Sequence, residues 1–364
     1  MDFELTAEQV EASRLAATIL GEGSTPERLR AVDEEDAERF DPQLWKTLGD
    51  AGLLGLALPE EYDGAGLGLL ELCSVLVEAG RVVAAVPLAS HAVASMALAR
   101  FGSDAERKEW LPPAASGTTV LATAWSADPV SEPVVRAEHD GAIWRLDGTS
   151  TLVLGGTLAG LFLVPAQTDE GVMVFLVPPD DPGVSLEPQR LTDGDVAAQV
   201  TFDGATLGGD RVLGGADVAA FLDQHWSVAL CAVQLGIIEG ALQLTSSYAK
   251  TREQFGRPIG TFQAVSQRLA DGYIDVLGAR LMLWQAAWRL SEGLPSEIEI
   301  ASAKLWAADA GHRIAHTTVH VHGGVGIDLD GEAHRYFSAA KRGEFLIGGT
   351  TQQARIIGKA LAAE

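Results

Sequence analysis

The sequence predicts an α+β protein in which a sheet is placed between two helical regions. Residues 1–115 carry helix-start signatures followed by apolar residues at helical spacing. Residues 116–215 carry short strand-like runs separated by turn residues, and residues 216–364 return to long amphipathic patterns. We therefore expect three domains with these limits: an N-terminal helical domain, a middle antiparallel β-domain and a C-terminal four-helix bundle.

Signals for helix starts recur in the N-terminal region. Thr6 and Gln9 have the spacing of a capping box, and Thr25 and Asp41 each precede a proline, as residues at helix starts often do. The pair Pro112-Pro113 marks the end of the region. Further helices are expected over Leu69–Gly80, His91–Phe101 and Glu106–Trp110.

The middle region has the spacing of a small antiparallel sandwich or barrel, because short apolar runs alternate with turn clusters such as Asp140-Gly141 and Asp147-Gly148. Gly208-Gly209 and Gly214-Gly215 mark the exit from it. The predicted strands are Val120–Trp125, Val134–His139, Ile143–Leu146, Leu161–Val164, Met173–Val177 and Gln199–Phe202.

Two long helical patterns of the C-terminal region meet at a polar corner. The first pattern ends near Phe255, because Gly256, Pro258 and Gly260 cannot continue a helix. Thr261 is then predicted to be the N-cap of the second helix. The four expected helices span about 221 to 252, 261 to 292, 296 to 320 and 333 to 361.

Composition excludes several classes of partner. The formal net charge of −24 opposes binding to nucleic acids and to anionic membranes. No run of 18 consecutive uncharged apolar residues occurs, and the acidic N-terminus does not resemble a secretory signal. Cys73 and Cys231 lie in apolar helical patterns, so we expect buried thiols and a cytoplasmic, reducing compartment.

A metal site is not expected. The acidic run Asp33-Glu34-Glu35-Asp36 lacks the ligand spacing of a calcium loop. His316, His320 and His322 could suggest zinc, but they lie beside a glycine-rich motif, where packing or contact with a cofactor is the favoured interpretation.

The polar corner carries groups suited to an anionic, aromatic ligand. Arg252 has a planar, permanently charged guanidinium that matches phosphate oxygens. Phe255 offers a flat face one helical turn later, and Gln263 offers an amide at the next helix start, where free N–H groups favour anions. A simple helical hairpin with a polar corner is the competing interpretation.

This run resembles the Arg-x-x-Phe-Gly-x-x-Ile/Leu-x-x-x-Gln signature of the acyl-CoA dehydrogenase family of flavoproteins. The segment from Gly52 to Gly66 and the motif Val321-His322-Gly323-Gly324-Val325-Gly326 resemble two further family segments, in the same order along the chain. The resemblance implies the acyl-CoA dehydrogenase fold. It also implies that Arg252 and Phe255 reach across a subunit interface to the diphosphate and adenine end of FAD held mainly by a neighbour.

By the same resemblance, a set of cofactor contacts carries over to this sequence. His320 stands where the family usually has a glutamine, and Thr350 and Gln352 lie in the tail. The expected FAD contacts are Arg252, Gln254, Phe255, Gln263, His320, Gly323, Gly324, Thr350 and Gln352.

The base that the family uses to remove a proton beside the thioester has no counterpart. Its commonest position corresponds to Gly348, and a second family position corresponds to Trp226; neither residue takes up a proton. His225 and Asp223 are ionisable neighbours on the same helix, with side chains that point elsewhere. Glu344 is the alternative base on this chain.

The flavin-ring cradle is also altered. The family's Gly-x-Lys-x-Trp-Ile-Thr-Asn-Gly strand corresponds to the run from Gly148 to Gly156, with leucine in both ring-contact places. The run Trp125-Ser126-Ala127-Asp128-Pro129 stands in place of a glycine-rich loop. The differences therefore cluster on the ring and base half of the site.

These observations predict a non-catalytic (β-type) subunit. The run His334-Arg335-Tyr336-Phe337, with Ala340-Lys341 and Gly348-Gly349, resembles such subunits of actinobacterial heterotetrameric acyl-CoA dehydrogenases of steroid side-chain degradation. The expected partner is a homologous catalytic subunit, in an α2β2 assembly, that binds most of the acyl-CoA and shares its FAD with this chain. Two alternatives stay open: a self-sufficient enzyme with Glu344 as base, and a cofactor-free scaffold with the same fold.

Overall fold

The computed structural model describes residues 6–34, 39–125 and 134–363, and it confirms the α+β class and the order of helices, sheet and helices. The chain forms two compact units. The predicted boundaries after residues 115 and 215 stay a prediction. Glu35-Asp36 and the run Ser126–Pro129 lie outside the described residues. One unit comprises Met1–Leu29, Cys73–Ala84 and Ser227–Glu364, and the other comprises Arg30–Leu72 and Ala85–Trp226.

The N-terminal helices begin where their capping residues predict. Thr6 and Gln9 form the reciprocal capping box, and the Asp41 carboxylate accepts from the N–H groups of Gln43 and Leu44. Pro112 and Pro113 do not end α6, because both lie in its last turns, where proline keeps a helical φ and removes only two donors. The helices are α1 Ala7–Gly23, α2 Pro26–Glu34, α3 Pro42–Asp50, α4 Leu69–Arg81, α5 Leu88–Phe101 and α6 Asp104–Ala115.

The middle region forms one eight-stranded sheet among the described residues, in the order β6-β7-β3-β2-β4-β5-β8, with β1 paired to β4. Most pairs are antiparallel as predicted, but β1 and β2 each run parallel to β4, and neither is joined to it by a hairpin. The sheet core contains Phe162, Phe175 and Phe202. The strands are β1 Val120–Thr123, β2 Arg136–His139, β3 Trp144–Leu154, β4 Ala159–Thr168, β5 Gly171–Val177, β6 Val184–Arg190, β7 Val196–Leu207 and β8 Val212–Gly214.

The C-terminal region contains one helix more than the pattern predicted. The fourth expected helix is divided at Gly348-Gly349, where Gly348 adopts a left-handed φ of 83° that ends α10. The helices are α7 Ala216–Thr251, α8 Gln263–Ser291, α9 Glu297–His322, α10 Ala333–Ile347 and α11 Thr350–Ala363.

The helix α7 is long and apolar enough to cross a membrane by length and composition alone. In its most apolar window, 78% of the residues are buried inside the protein, as is usual for a core helix. Its backbone comes close to α4 and α10 through glycines: a Cβ on Gly236 would meet the carbonyl of Val77, and a Cβ on Gly240 would meet that of Arg81 and the ring of Tyr336.

Buried polar side chains of α7 contact the helices around it. The Gln234 amide donates to the carbonyl of Ala340 on α10, 3.0 Å away. The Glu239 carboxylate pairs with Arg81 on α4, at 2.7 Å, and with Arg280 on α8. Thr245 hydrogen-bonds Thr318 on α9 at 3.0 Å. Each contact fixes one neighbour along the axis of α7, because a buried polar group misplaced by a turn would lose its partner.

Two buried histidines belong to the unit that contains the sheet. His91 Nδ1 accepts from the N–H of Leu121 at 3.2 Å, and the His225 ring stacks on Phe221 with 3.6 Å between centroids. Burial lowers the pKa of each ring from 6.5 to about 4, and the charge of Arg100 adds to the effect at His225. Both rings are therefore neutral at pH 7.

We expect acid to destabilise the protein through these rings. Between pH 6.5 and about 4 the unfolded histidines bind protons and the folded ones do not, so the free energy of unfolding falls as the pH decreases through this window. The loss amounts to about 3 kcal/mol for each ring. Urea unfolding of the His91→Gln variant should show a smaller pH dependence than that of the unchanged chain. The exposed His320→Gln variant should keep the full dependence, and an equal reduction in both would contradict the prediction.

Candidate functional site

The polar corner is a short hairpin. The helix α7 ends at Thr251, one residue before the end of the expected span of about 221 to 252 and four before the glycine-flanked limit near Phe255, and Arg252 N–H donates to the carbonyl of Tyr248 at 2.8 Å. Strands β9 Glu253–Gln254 and β10 Arg257–Pro258 follow. Phe255 and Gly256 form the tip with φ values of 54° and 77°, so Phe255 lies on a tight turn and not one helical turn after Arg252.

Thr261 is not the N-cap of the second helix, and this prediction was wrong. Residues Ile259–Thr261 form a 3-10 turn that moves the helix start to Gln263, and the Thr261 hydroxyl donates to the carbonyl of Pro258 at 2.7 Å. Phe262 is the N-cap residue and provides no side-chain acceptor. Gln263 is exposed in the first turn of α8.

The hairpin presents aromatic and cationic groups to the surface. The Phe255 side chain is 93% exposed and meets Phe262 edge to face, with 6.1 Å between centroids. The Arg257 guanidinium lies 4.2 Å from the centroid of Phe262, so the ring is covered by a cation. Arg252 is exposed and forms no ion pair with any of the described residues. A guanidinium in this state is available to an anion.

A stacked pair of rings places the glycine turn beside the end of α7. Tyr248 and His322 stack with 4.3 Å between centroids and an angle of 22°, and His322 Nδ1 bonds the carbonyl of Thr318 at 2.8 Å. The chain then turns at Gly323, whose φ is 66°. A Cβ on Gly323 or Gly324 would meet no atom within 4 Å, so this backbone is open to a ligand.

Sequence reasoning did not select Tyr248, although it lies one helical turn before Arg252. That spacing puts the two residues on one face of the helix and was the available signal. His320 is exposed two residues before His322, and Gln254 is exposed with its amide bonded to the carbonyl of Glu253 at 2.8 Å.

The last two predicted contacts lie at the start of α11. Gln352 Nε2 is buried without a hydrogen-bond partner among the described residues, and Thr350 is the first residue of the helix. No hydrogen bond or ion pair between described residues joins Thr350 or Gln352 to the hairpin. The stack of Tyr248 on His322 therefore joins the hairpin to the glycine turn, and no such contact links the start of α11 to them among the described residues.

These groups fit the diphosphate and adenine end of FAD. A planar cation without a partner suits a diphosphate, an exposed phenyl ring suits the face of a purine, and an orphaned amide donor suits a ring nitrogen. The open backbone at Gly323 and Gly324 permits a close approach.

The position that corresponds to the family base by resemblance would strain any side chain. Gly348 has a left-handed φ of 83°, and a Cβ there would lie 2.8 Å from Gln352 Oε1 and 2.9 Å from Gln353 Nε2. Two glutamine amides thus occupy the space through which a side chain would leave the backbone.

The other candidate bases are engaged in structural contacts. Glu344 pairs with Lys341 at 2.5 Å and with His312 at 3.2 Å, which ties α10 to α9. His225 is buried with Nδ1 bonded to the carbonyl of Phe221 at 2.8 Å. Trp226 is the last residue of the unit that contains the sheet. No group of three or more metal-binding side chains occurs among the described residues, and this includes His316, His320 and His322.

The strand that corresponds to the flavin-ring cradle carries a bulge. Leu152 has a φ of 57° in a sheet whose register shifts between Ser150 and Val153. Its N–H donates to Gln189 Oε1 at 2.8 Å, and Leu154 pairs with Ala197 on β7. A left-handed leucine is strained, and the Gln189 amide stabilises it. The loop after Trp125 lies outside the described residues.

Comparison with known proteins gives one consistent family. Models described as the N-terminal and C-terminal domains of acyl-CoA dehydrogenase match residues 6–118 and 219–362. The chain is 48% identical over 371 residues to acyl-CoA dehydrogenase FadE27 of Mycobacterium tuberculosis (strain ATCC 25618 / H37Rv), covering 100% of this chain and 99% of that one.

Two solved structures are similar over nearly their whole lengths. A chain of the ChsE4-ChsE5 complex from Mycobacterium tuberculosis matches with a TM-score of 0.96 and 48% identity, covering 100% of both chains. A chain of a variant of the Tcur3481-Tcur3483 steroid ACAD matches with a TM-score of 0.92 and 40% identity, covering 98% of both.

We predict that a carboxylate cannot be introduced at position 348 without loss of stability. Gly348→Glu should lower the free energy of unfolding by about 1–2 kcal/mol for the left-handed backbone alone, and contact with the two glutamines adds to this. Thermal unfolding of the purified chain measures the loss. Gly349→Glu is the matched control, because a Cβ there meets nothing within 4 Å. Equal melting temperatures for the two variants would contradict the prediction.

Proposed function

Because the chain belongs to the acyl-CoA dehydrogenase family, we propose that it is a non-catalytic subunit of a heteromeric FAD-dependent acyl-CoA dehydrogenase. It contributes the trans half of the FAD site of a homologous catalytic partner. The observation that carries the proposal is an asymmetry: the hairpin offers an exposed Phe255 ring and an Arg252 without an ion pair among the described residues, whereas Gly348 stands at the position that corresponds to the family base. If the whole chain had lost its function, there would be no reason for one half of the site to keep its binding groups.

The relatives support a heteromeric assembly and a steroid-type substrate. One similar structure is a complex of ChsE4 with ChsE5, and another is described as a steroid ACAD with two differently named components. We infer an α2β2 assembly in which the partner provides the base, the flavin-ring pocket and most of the acyl-CoA cleft. The substrate inferred for the complex is a CoA thioester of a steroid side chain.

The chemistry divides between the two subunits. When bound in the complex, FAD would supply the hydride-accepting chemistry of the dehydrogenation. The residues of this chain act at the other end of the cofactor. Arg252 compensates the charge of the diphosphate, and Phe255 covers the adenine and excludes water from it. The bond-making atoms lie in the partner, so no residue of this chain is assigned a catalytic role.

An exposed apolar stripe on α8 supports a protein partner. Tyr273, Ile274, Leu277 and Leu281 are all exposed and follow one another at helical spacing. Four large apolar side chains on one helix face cost free energy in water, and a partner subunit would remove that cost. The stripe lies on the same helix that begins at Gln263, so the covering surface would reach towards the hairpin.

Expression of the chain alone and together with its candidate partner tests the proposal. We expect a colourless chain alone and a yellow complex with FAD bound at a defined ratio, as measured by visible absorption and native mass. Tight, stoichiometric binding of FAD by a homo-oligomer of this chain would contradict the proposal. A complex with the partner that binds FAD without any contribution from this chain would do the same.

Arg252→Ala tests the half-site directly. In the purified complex we expect about a tenfold or greater loss of FAD affinity, because a charge-assisted contact to phosphate is worth about 1.5–3 kcal/mol. Flavin fluorescence during titration of the FAD-free complex measures it. Arg14→Ala, which removes an exposed arginine of α1, is the control and should leave the affinity unchanged.

The self-sufficient alternative depends on Glu344. We expect no dehydrogenation of acyl-CoA by the chain alone, and Glu344→Gln in the complex should leave kcat within about twofold because the carboxylate already pairs with Lys341 and His312. A loss of about a hundredfold or more in kcat, with the complex still assembled and yellow, would favour Glu344 as the base.

A further inference from the structure

A continuous seam of polar and aromatic contacts runs between α7 and α9 to the hairpin. At the end of this seam that lies farthest from the hairpin, Thr245 and Thr318 are fully buried and their hydroxyls are 3.0 Å apart. The Thr245 hydroxyl also lies 2.6 Å from the carbonyl of Ala241. Hydroxyls in such a place hold the helices at one axial position, because a shift would leave them without partners.

The seam continues one turn further on α9. The carbonyl of Thr318 accepts from His322 Nδ1 at 2.8 Å. With its proton on Nδ1, the ring is fixed in orientation and stacks on Tyr248 of α7, 4.3 Å away. Contacts therefore alternate between the two helices from Thr245 to Tyr248.

Both outer residues lead directly into the candidate site. The carbonyl of Tyr248 accepts the N–H of Arg252 at 2.8 Å, and His322 precedes Gly323. The hairpin therefore begins beside Tyr248 and the glycine turn begins beside His322, so each part of the half-site follows one ring of the stacked pair.

We propose that Tyr248 and His322 are positioning residues that hold Arg252 and the Gly323-Gly324 turn in the geometry that binds the partner's FAD. The inference rests on the proposed function and adds residues to it. The stack fixes the ends of α7 and α9 relative to each other, so it determines the spacing between the guanidinium and the open glycine backbone. Loss of the stack leaves both groups present and places them at a variable distance.

The test uses the assembled complex and a double-mutant cycle. Tyr248→Ala and His322→Ala should each lower FAD affinity about tenfold, with native mass showing that the complex is intact, and Tyr248→Phe should bind within about twofold of the unchanged complex because the ring stack remains. In an Arg252→Ala background, Tyr248→Ala should cause a smaller loss than in the unchanged complex, since only the placement of the Gly323-Gly324 turn is then still affected.

A merely structural role for the stack gives a different pattern. Tyr336→Phe removes another helix-to-helix hydrogen bond, which is partly buried and runs from the Tyr336 hydroxyl to the carbonyl of Arg81 at 2.8 Å, far along the chain from the hairpin. It should lower the melting temperature without changing FAD affinity. If Tyr248→Ala lowers the melting temperature and leaves FAD affinity unchanged, or if its effect adds fully to that of Arg252→Ala, the inference is overturned.

Failure of the inference is distinguishable from failure of the proposed function. If Arg252→Ala itself does not weaken FAD binding, the half-site is not used and the proposed function fails. If Arg252→Ala weakens binding and the stack variants do not, only the positioning role fails. Should Tyr248→Ala not assemble, His322→Phe keeps an aromatic ring and loses the Nδ1 anchor, and an affinity equal to that of the unchanged complex would then contradict the role of the anchor.

Discussion

The placement of the C-terminal helices depends on the buried polar side chains of α7. Gln234, Glu239 and Thr245 reach four neighbouring helices, and each is more than nine-tenths buried. Apolar side chains that interdigitate already limit how these helices can slide along one another. A buried amide, carboxylate or hydroxyl limits it further, because each loses its partner on sliding. The glycines of α7 bring the backbones close enough for these short contacts.

The chain leaves α7 at the hairpin and α10 at Gly348 in two different ways. At the hairpin, α7 is followed by a tight turn in which the ring of Phe255 is exposed to solvent. At Gly348, α10 ends in a glycine with a positive φ, beside two glutamine amides. The first arrangement exposes functional groups, and the second leaves little space for a side chain.

Sequence reasoning succeeded where the determinants are local. The Asp41 cap, the Thr6 capping box and the helix–sheet–helix order follow from residues a few positions apart. Strands β6 and β8 were missed because one is a polar edge strand containing Pro188 and the other has three residues. Thr261 was placed at the wrong helix start because a 3-10 turn intervenes. The hairpin residues could be selected as a set since they are contiguous, whereas the stack of Tyr248 on His322 depends on the relative placement of two helices that no local pattern encodes.

The apolar stripe on α8 has a further consequence when it is considered together with the net charge of −24. Two copies of this chain that met through the stripe would each carry that charge, and their mutual repulsion would oppose the hydrophobic gain, most strongly at low ionic strength. A partner of lower negative charge would meet the same surface at a smaller electrostatic cost. The acidity of the chain would therefore disfavour the pairing of two like chains through this stripe relative to pairing with a less acidic protein.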